Sequence, residues 1–73
     1  MPTKLDDKSN QELGNKLRKA REKLGYTQAD IAEKSDMTVN YYAMIERGEV
    51  NPTLDKIRKV LKFLKLKTSD IPE

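Results

Sequence analysis

Apolar residues recur along the chain at the spacing of amphipathic helices, with short polar turns between the stretches. Ser9 followed three residues later by Glu12 predicts a capping box that opens the first helix, and Gly25 is expected to end it. The apolar stripe of this helix comprises Leu13, Leu17, Ala20 and Leu24. Gly14 lies inside the helix at a cost of about 1 kcal/mol relative to alanine, which indicates either a later start or close backbone packing.

A helix near the end of the chain has the clearest separation of apolar and charged faces. Thr53 is its predicted N-cap. Its apolar face comprises Leu54, Ile57, Val60, Leu61 and Leu64, and its charged face Lys56, Arg58, Lys59 and Lys62. Residues 68–72 predict one further turn that brings Ile71 under the core before Pro72 stops it.

Two shorter helices are predicted between these, and the first begins at Gln28. Thr27 is placed to cap it, with Asp30 three residues later. Tyr26 and Ile31, on either side of the cap, have the spacing of a hydrophobic staple. The local signals therefore predict a defined helix start.

The second short helix is predicted to begin at Val39, with Thr38 as its cap. So tight a reversal between the two helices usually needs one residue with positive φ, and Asp36 tolerates that conformation better than most non-glycine residues. Gly48 is expected to end the helix in the left-handed conformation. Two capped helices joined by a tight turn form a helix-turn-helix, a motif used mostly to place one helix in a DNA groove.

Length and composition narrow the classes of protein to which the chain can belong. A chain of 73 residues makes one small all-α domain, which we assign to residues 9–73 after a flexible segment 1–8. The absence of cysteine and histidine excludes a zinc finger and removes the commonest general base, so we expect no metal, no cofactor and no enzymatic activity. No apolar run has the roughly 18 residues of a membrane span, and the start of the chain lacks the apolar stretch of a signal peptide, so a cytoplasmic protein is expected.

Several short motifs occur together in one register. They are Arg21, Thr27-Gln28, Ile31-Ala32, Ile45-Glu46-Arg47-Gly48 and Asn51-Pro52-Thr53-Leu54. With these motifs the chain, from about Leu13 to Ile71, resembles the Xre-like helix-turn-helix family of phage repressors, Cro proteins and restriction-modification controllers. The resemblance implies a lambda-repressor-like bundle of four or five short helices that binds specific double-stranded DNA, usually as a dimer.

The start of the second motif helix carries the candidate base-reading residues. Residues of its first turn and one turn later are expected to face outward, whereas Tyr42 and Ile45 face the core. The candidates for base contact are Val39, Asn40, Tyr41 and Met44. The amide of Asn40 can meet both N6 and N7 of adenine, and apolar side chains suit a thymine methyl group. Simple solvent exposure is the competing interpretation for each.

The predicted roles of several other residues follow only from the family resemblance. The positions that match phosphate-contacting residues of the family are Gln28, Thr38, Arg47 and Asn51. Arg21 and Glu46 match a partly buried ion pair that ties the first helix to the recognition helix. Glu49 departs from the family, which often has a cation in this loop, and an acidic side chain there disfavours contact with the DNA backbone.

The charge distribution keeps a second function open. Residues 26–55 carry two cations, Lys34 and Arg47, against six anions, although the whole chain has a net charge of +3. Lysine and arginine supply most non-specific DNA affinity, so cations outside the motif would have to contribute. Candidates are Lys4, Lys8, Lys16, Lys19 and Lys23, for which a solvated surface is the alternative. A protein-interaction module or toxin-binding antitoxin with weak or no DNA binding is therefore the second hypothesis, with a protein partner.

A homodimer is expected because one recognition helix reads few base pairs. The apolar residues Val50, Phe63 and Leu66 are candidates for the contact, with burial in the monomer core as the alternative. A stable dimer and one that forms chiefly on DNA are both compatible with the sequence.

Overall fold

Four α-helices make up the secondary structure of residues 7–67, the part of the chain that the computed structural model describes. They are α1 (Asp7–Leu24), α2 (Gln28–Lys34), α3 (Val39–Glu46) and α4 (Leu54–Leu64). Helix α1 packs against α3 and α4, and α2 packs against the same two helices. The predicted all-α bundle is confirmed. The last turn predicted for residues 68–72 lies outside the described residues.

Threonine caps begin three of the helices, as the sequence predicts. The hydroxyl oxygens of Thr27 and Thr38 each accept a hydrogen bond at 3.0 Å from the backbone N–H three residues later, and that of Thr53 accepts one at 3.2 Å. The Thr27 N–H in turn donates to Asp30 Oδ2 at 2.9 Å, which completes a capping box. Each cap satisfies backbone donors that the first helical turn leaves unpaired.

The turns between the helices also have the predicted backbone conformations. Asp36 has φ of 58°, so the reversal between α2 and α3 uses a left-handed aspartate. Gly25 and Gly48, with φ of 80° and 75°, follow the ends of α1 and α3. Glycine adopts this region without the steric penalty that a Cβ imposes.

The predicted start of α1 is wrong. The chain is already helical at Asp7, the first residue that the structure describes, so Ser9 lies inside α1 and does not cap it. A serine within a helix costs little. Ser9 and Glu12 therefore have the spacing of a capping box but both lie within the helix.

The core lies where α1 and α4 meet the two motif helices. Its buried members are Leu13, Leu17, Ile31, Ala32, Tyr42, Ile45, Ile57, Val60, Leu61 and Leu64. Two residues of the predicted stripes are exposed instead: Leu24 at 38% and Leu54 at 52%. Leu24 is the last residue of α1 and Leu54 the first of α4, so both lie beyond the edge of the packed layer.

Val50, Phe63 and Leu66, the candidates for a dimer contact, are partly buried and pack against this core. The core therefore already covers part of their apolar surface. Among helices of residues 7–67, none combines the length and apolarity that crossing a membrane requires.

Gly14 lies where the backbones of α1 and α3 touch. A Cβ at this position would overlap the carbonyl oxygen of Glu46 and lie 2.7 Å from that of Ile45. Of the two explanations for this glycine, close backbone packing is therefore the correct one. It lets α1 cross the C-terminal end of α3 without a side chain between them.

Candidate nucleic-acid interface

Helix α3 is divided between a buried face and an exposed one. Tyr42 and Ile45 are buried, at 0% and 2% exposure, and hold the helix on the core. Val39 is 47% exposed, and Asn40 is also exposed. The Thr38 cap fixes the backbone of this first turn. The start of α3 therefore presents side chains to solvent from a rigidly held helix.

The four candidate base-reading residues differ in exposure. Val39 and Asn40 are open to solvent, whereas Tyr41 and Met44 are half-buried. The Asn40 amide Nδ2 donates a weak hydrogen bond to Met44 Sδ, one turn later, at 3.8 Å. This contact links Asn40 and Met44 on one side of the helix, and Tyr41 lies at its edge against the core. Asn40 is the most accessible hydrogen-bonding side chain of the four.

A buried ion pair joins α1 to the end of α3. Arg21 Nε donates to Glu46 Oε2 at 2.7 Å and Nη2 donates to Oε1 at 3.2 Å, with side chains 12% and 3% exposed. Arg21 Nη1 also donates to the Tyr26 carbonyl oxygen at 3.0 Å. The pair therefore connects α1, α3 and the segment that enters α2.

Neighbouring groups stabilise the charged form of Glu46. Burial opposes its ionisation, but the hydrogen bond from Arg21, the nearby Tyr42 hydroxyl and the amide of Gln28 outweigh burial and lower its pKa. The bond to Glu46 likewise raises the pKa of Arg21. Burial, then the adjacent carboxylate, raises the pKa of Tyr42, which keeps the phenol protonated.

Gln28, a candidate phosphate contact, takes part in the same network. Its Nε2 donates to Glu46 Oε1 at 3.0 Å, and its side chain is half-buried. The second candidate, Thr38, is exposed, and its hydroxyl oxygen is the cap acceptor of α3. Because a hydroxyl both donates and accepts, capping leaves its proton available for another acceptor.

The loop after α3 contains the other two phosphate candidates. Asn51 is exposed. Arg47 is also exposed, but its Nε and Nη2 donate to Glu49 at 3.0 Å and 3.1 Å. This bidentate contact raises the pKa of Arg47 and lowers that of Glu49. Glu49 therefore occupies the two guanidinium N–H donors that a phosphate would use.

Sequence reasoning placed Lys56 on the charged face of α4, and the structure brings it to α3. Its Nζ lies 5.1 Å from the centroid of the Tyr41 ring, and its side chain is half-buried. Lys34 Nζ similarly lies 5.7 Å and 5.4 Å from the rings of Tyr26 and Phe63. The periodicity of one helix carries no signal for such contacts between helices.

The capped pair α2 and α3, its tight turn and the exposed start of α3 define a helix-turn-helix protein. A helix-turn-helix family profile matches residues 17–71, most of the chain. The chain belongs to this Xre-like helix-turn-helix family, whose members are DNA-binding transcriptional regulators.

Known relatives agree with this membership. The chain is 36% identical over 56 residues to the HTH-type transcriptional regulator ImmR of Bacillus subtilis; the match covers 77% of this chain and 44% of that protein. The restriction-modification controller C.AhdI of Aeromonas hydrophila superposes with a TM-score of 0.82 at 26% identity, over 89% and 98% of the two chains. C.Esp1396I, solved bound to a 25 base pair operator site, gives a TM-score of 0.74 at 28% identity, over 84% and 80%.

Proposed function

We propose that this chain binds double-stranded DNA in a sequence-specific manner, inserts the start of α3 into the major groove and represses transcription from the site. The observation that carries the proposal is the exposed first turn of α3, where Asn40 projects from a helix that Thr38 caps. A major groove about 12 Å wide admits an α-helix, and the residues at its start then reach base edges.

Asn40 is the principal base-reading residue in this proposal. Its amide can donate to N7 and accept from N6 of adenine, a pairing worth about 1 to 3 kcal/mol of discrimination. Val39 and Met44 supply apolar surface for thymine methyl groups, and the Tyr41 hydroxyl contacts a phosphate or a base edge. The half-buried state of Tyr41 and Met44 restricts them to the flank of the contact.

Phosphate contacts fix the position of α3 on the duplex. We assign them to Gln28 and Thr38 at the starts of α2 and α3, and to Arg47 and Asn51 in the loop after α3. The N–H groups at both helix starts add a partial positive charge that favours phosphate. Arg47 has to leave Glu49 to make its contact.

The DNA-bound form is a homodimer in this proposal. One α3 helix covers only a few base pairs, so two copies on a two-fold site, with half-sites about 34 Å apart, give a specific target. C.Esp1396I, a structural neighbour, was solved bound to an operator of 25 base pairs. Repression follows from occupancy, because a dimer over a promoter excludes other proteins from the same DNA.

A salt titration tests the proposal. The chain is titrated with random-sequence duplex DNA of about 30 base pairs, three helical turns, and with one strand of it, at a low and a moderate salt concentration. We expect the duplex to bind more tightly than the strand, with an affinity that falls steeply with salt as counterions are released. Absence of duplex binding at low salt would contradict the proposal.

The acidic motif favours a second candidate, a protein-interaction module or antitoxin that keeps the same fold. Residues 26–55 have four more anions than cations, and one of the two cations, Arg47, is paired with Glu49. Such a module would bind the duplex weakly or not at all, so the same titration separates the two functions.

A further inference from the structure

The helix-turn-helix segment, residues 26–55, carries two cations, and both contact other side chains of the protein. Lys34 lies over the rings of Tyr26 and Phe63, and Arg47 makes a bidentate contact with Glu49. Because DNA affinity depends on cations close to phosphates, a charge from another helix adds to the affinity that this surface can reach.

Helix α4 brings one such charge to the first turn of α3. Lys56 Nζ lies 5.1 Å from the centroid of the Tyr41 ring. Tyr41 is the third residue of α3 and Lys56 the third residue of α4, and each donates its backbone N–H to a threonine cap, at 3.0 Å and 3.2 Å. Both side chains therefore start from fixed backbones, and their contact joins two capped helix starts.

The contact leaves Lys56 able to bind an anion. An ammonium group over an aromatic face uses the ring quadrupole and keeps N–H donors directed away from the ring. Lys56 is half-buried, so its side chain packs on the protein surface without being enclosed. A cation in this position lies beside the turn of α3 that carries Asn40, where groove phosphates pass when α3 enters DNA.

We propose that Lys56 contacts a DNA phosphate beside the first turn of α3 and positions the Tyr41 ring against that turn. This inference rests on the proposed DNA-binding function and adds to it a residue outside the helix-turn-helix. A contact from Lys56 also gives the acidic helix-turn-helix segment a positive charge, supplied by α4, with which to bind the DNA polyanion.

The test compares two lysines of α4 that differ in position. Lys56→Gln and Lys62→Gln remove the same charge, but Lys62 is exposed and lies six residues, about 9 Å, further along the helix. Affinity for random-sequence duplex DNA of about 30 base pairs is measured over a range of salt concentrations for the parent and both variants. Thermal melting of each variant checks that the fold is retained.

We expect Lys56→Gln to reduce the slope of log affinity against log salt by about 0.9, the value for one lost phosphate contact, and Lys62→Gln to leave it unchanged. Lys56→Arg, which keeps the cation, should restore the parent slope even if the glutamine variant is less stable. Equal slopes for the two glutamine variants would overturn the assignment of Lys56. A parent that binds no duplex would instead overturn the DNA-binding function itself.

Discussion

The guanidinium of Arg21 and the carboxylate of Glu46 form a bidentate pair, with Nε 2.7 Å from Oε2 and Nη2 3.2 Å from Oε1. Arg21 lies in the last turn of α1, and Glu46 is the last residue of α3. The contact therefore fixes α3 to the rest of the bundle at the end opposite its exposed first turn. Stability and the orientation of α3 depend on the same two side chains.

Removing one partner of this pair should destabilise the protein. Arg21→Ala leaves the Glu46 carboxylate, 3% exposed, without its cation, which costs roughly 3 to 5 kcal/mol for a buried pair. We expect a lower free energy of unfolding in urea and a parallel loss of DNA affinity. Arg18→Ala removes an exposed arginine from the same helix and serves as the control. Equal stability of the two variants would show that the pair contributes little.

The pH dependence of stability should report on Glu46. Its pKa in the folded protein lies below the ordinary value of 4.5, so its stabilising effect is complete above that pH and is lost as the pH falls through the lowered pKa. Urea unfolding of Glu46→Gln, measured from neutral to acid pH, should therefore show a shallower decline below pH 4.5 than the parent. Asp30, whose pKa is lowered by its bonds to Thr27, accounts for part of the remaining decline.

The matched control is Glu33→Gln, which alters an exposed carboxylate on α2. It should leave the acid-induced loss of stability as steep as in the parent. If Glu46→Gln also retained the parent's full decline, Glu46 would not be the group whose protonation destabilises the fold.

Gly14→Ala should destabilise the protein although alanine favours helices. A Cβ at this position overlaps the Glu46 carbonyl oxygen, and backbone atoms of α3 cannot yield as a flexible side chain can. The gain of about 1 kcal/mol in helix propensity is then outweighed by a packing cost of about 1 to 3 kcal/mol or more. Chemical unfolding measures the difference, with Lys19→Ala on the exposed face of α1 as control. A variant more stable than the parent would show that α1 and α3 can separate without loss.

Local features of the fold were predictable from the sequence because their causes lie within a few residues. The caps Thr27, Thr38 and Thr53 each bond to a backbone N–H three positions later, and Asp36 takes a left-handed conformation that its turn requires. Gly14 was ambiguous because a close approach depends on a helix about thirty residues away, which sequence spacing does not reveal.

Contacts between helices were the part that the sequence left open. Arg21 and Glu46 were paired only through the family resemblance, because the two residues are separated by 25 positions. The approach of Lys56 to Tyr41 and the contact of Glu49 with Arg47 had no counterpart in the pattern of apolar positions. A charged residue on a polar face looks the same in sequence whether it meets solvent, a ring or an opposite charge.

Glu49→Gln should increase DNA affinity. The Glu49 carboxylate holds the Arg47 guanidinium through two hydrogen bonds, so it competes with phosphate for that side chain. Because both residues are about half exposed, we expect the change to tighten binding only a few-fold. Glu33→Gln, which removes the same charge from α2, should have a smaller effect in the same duplex titration.

The double variant Arg47→Ala with Glu49→Gln separates two explanations. If Glu49 acts by occupying Arg47, its substitution should have no effect once Arg47 is absent. A gain in affinity that persists without Arg47 would mean that Glu49 simply repels DNA.

In the proposal, the first turn of α3 reads bases in the major groove. The most direct test is to select bound sequences from a random duplex pool, once with the parent protein and once with Asn40→Ala. We predict a two-fold symmetric site with half-sites about 34 Å apart, and loss of one adenine preference per half-site in the variant. Retention of every base preference by Asn40→Ala, or a pool without any enriched sequence, would contradict the proposal.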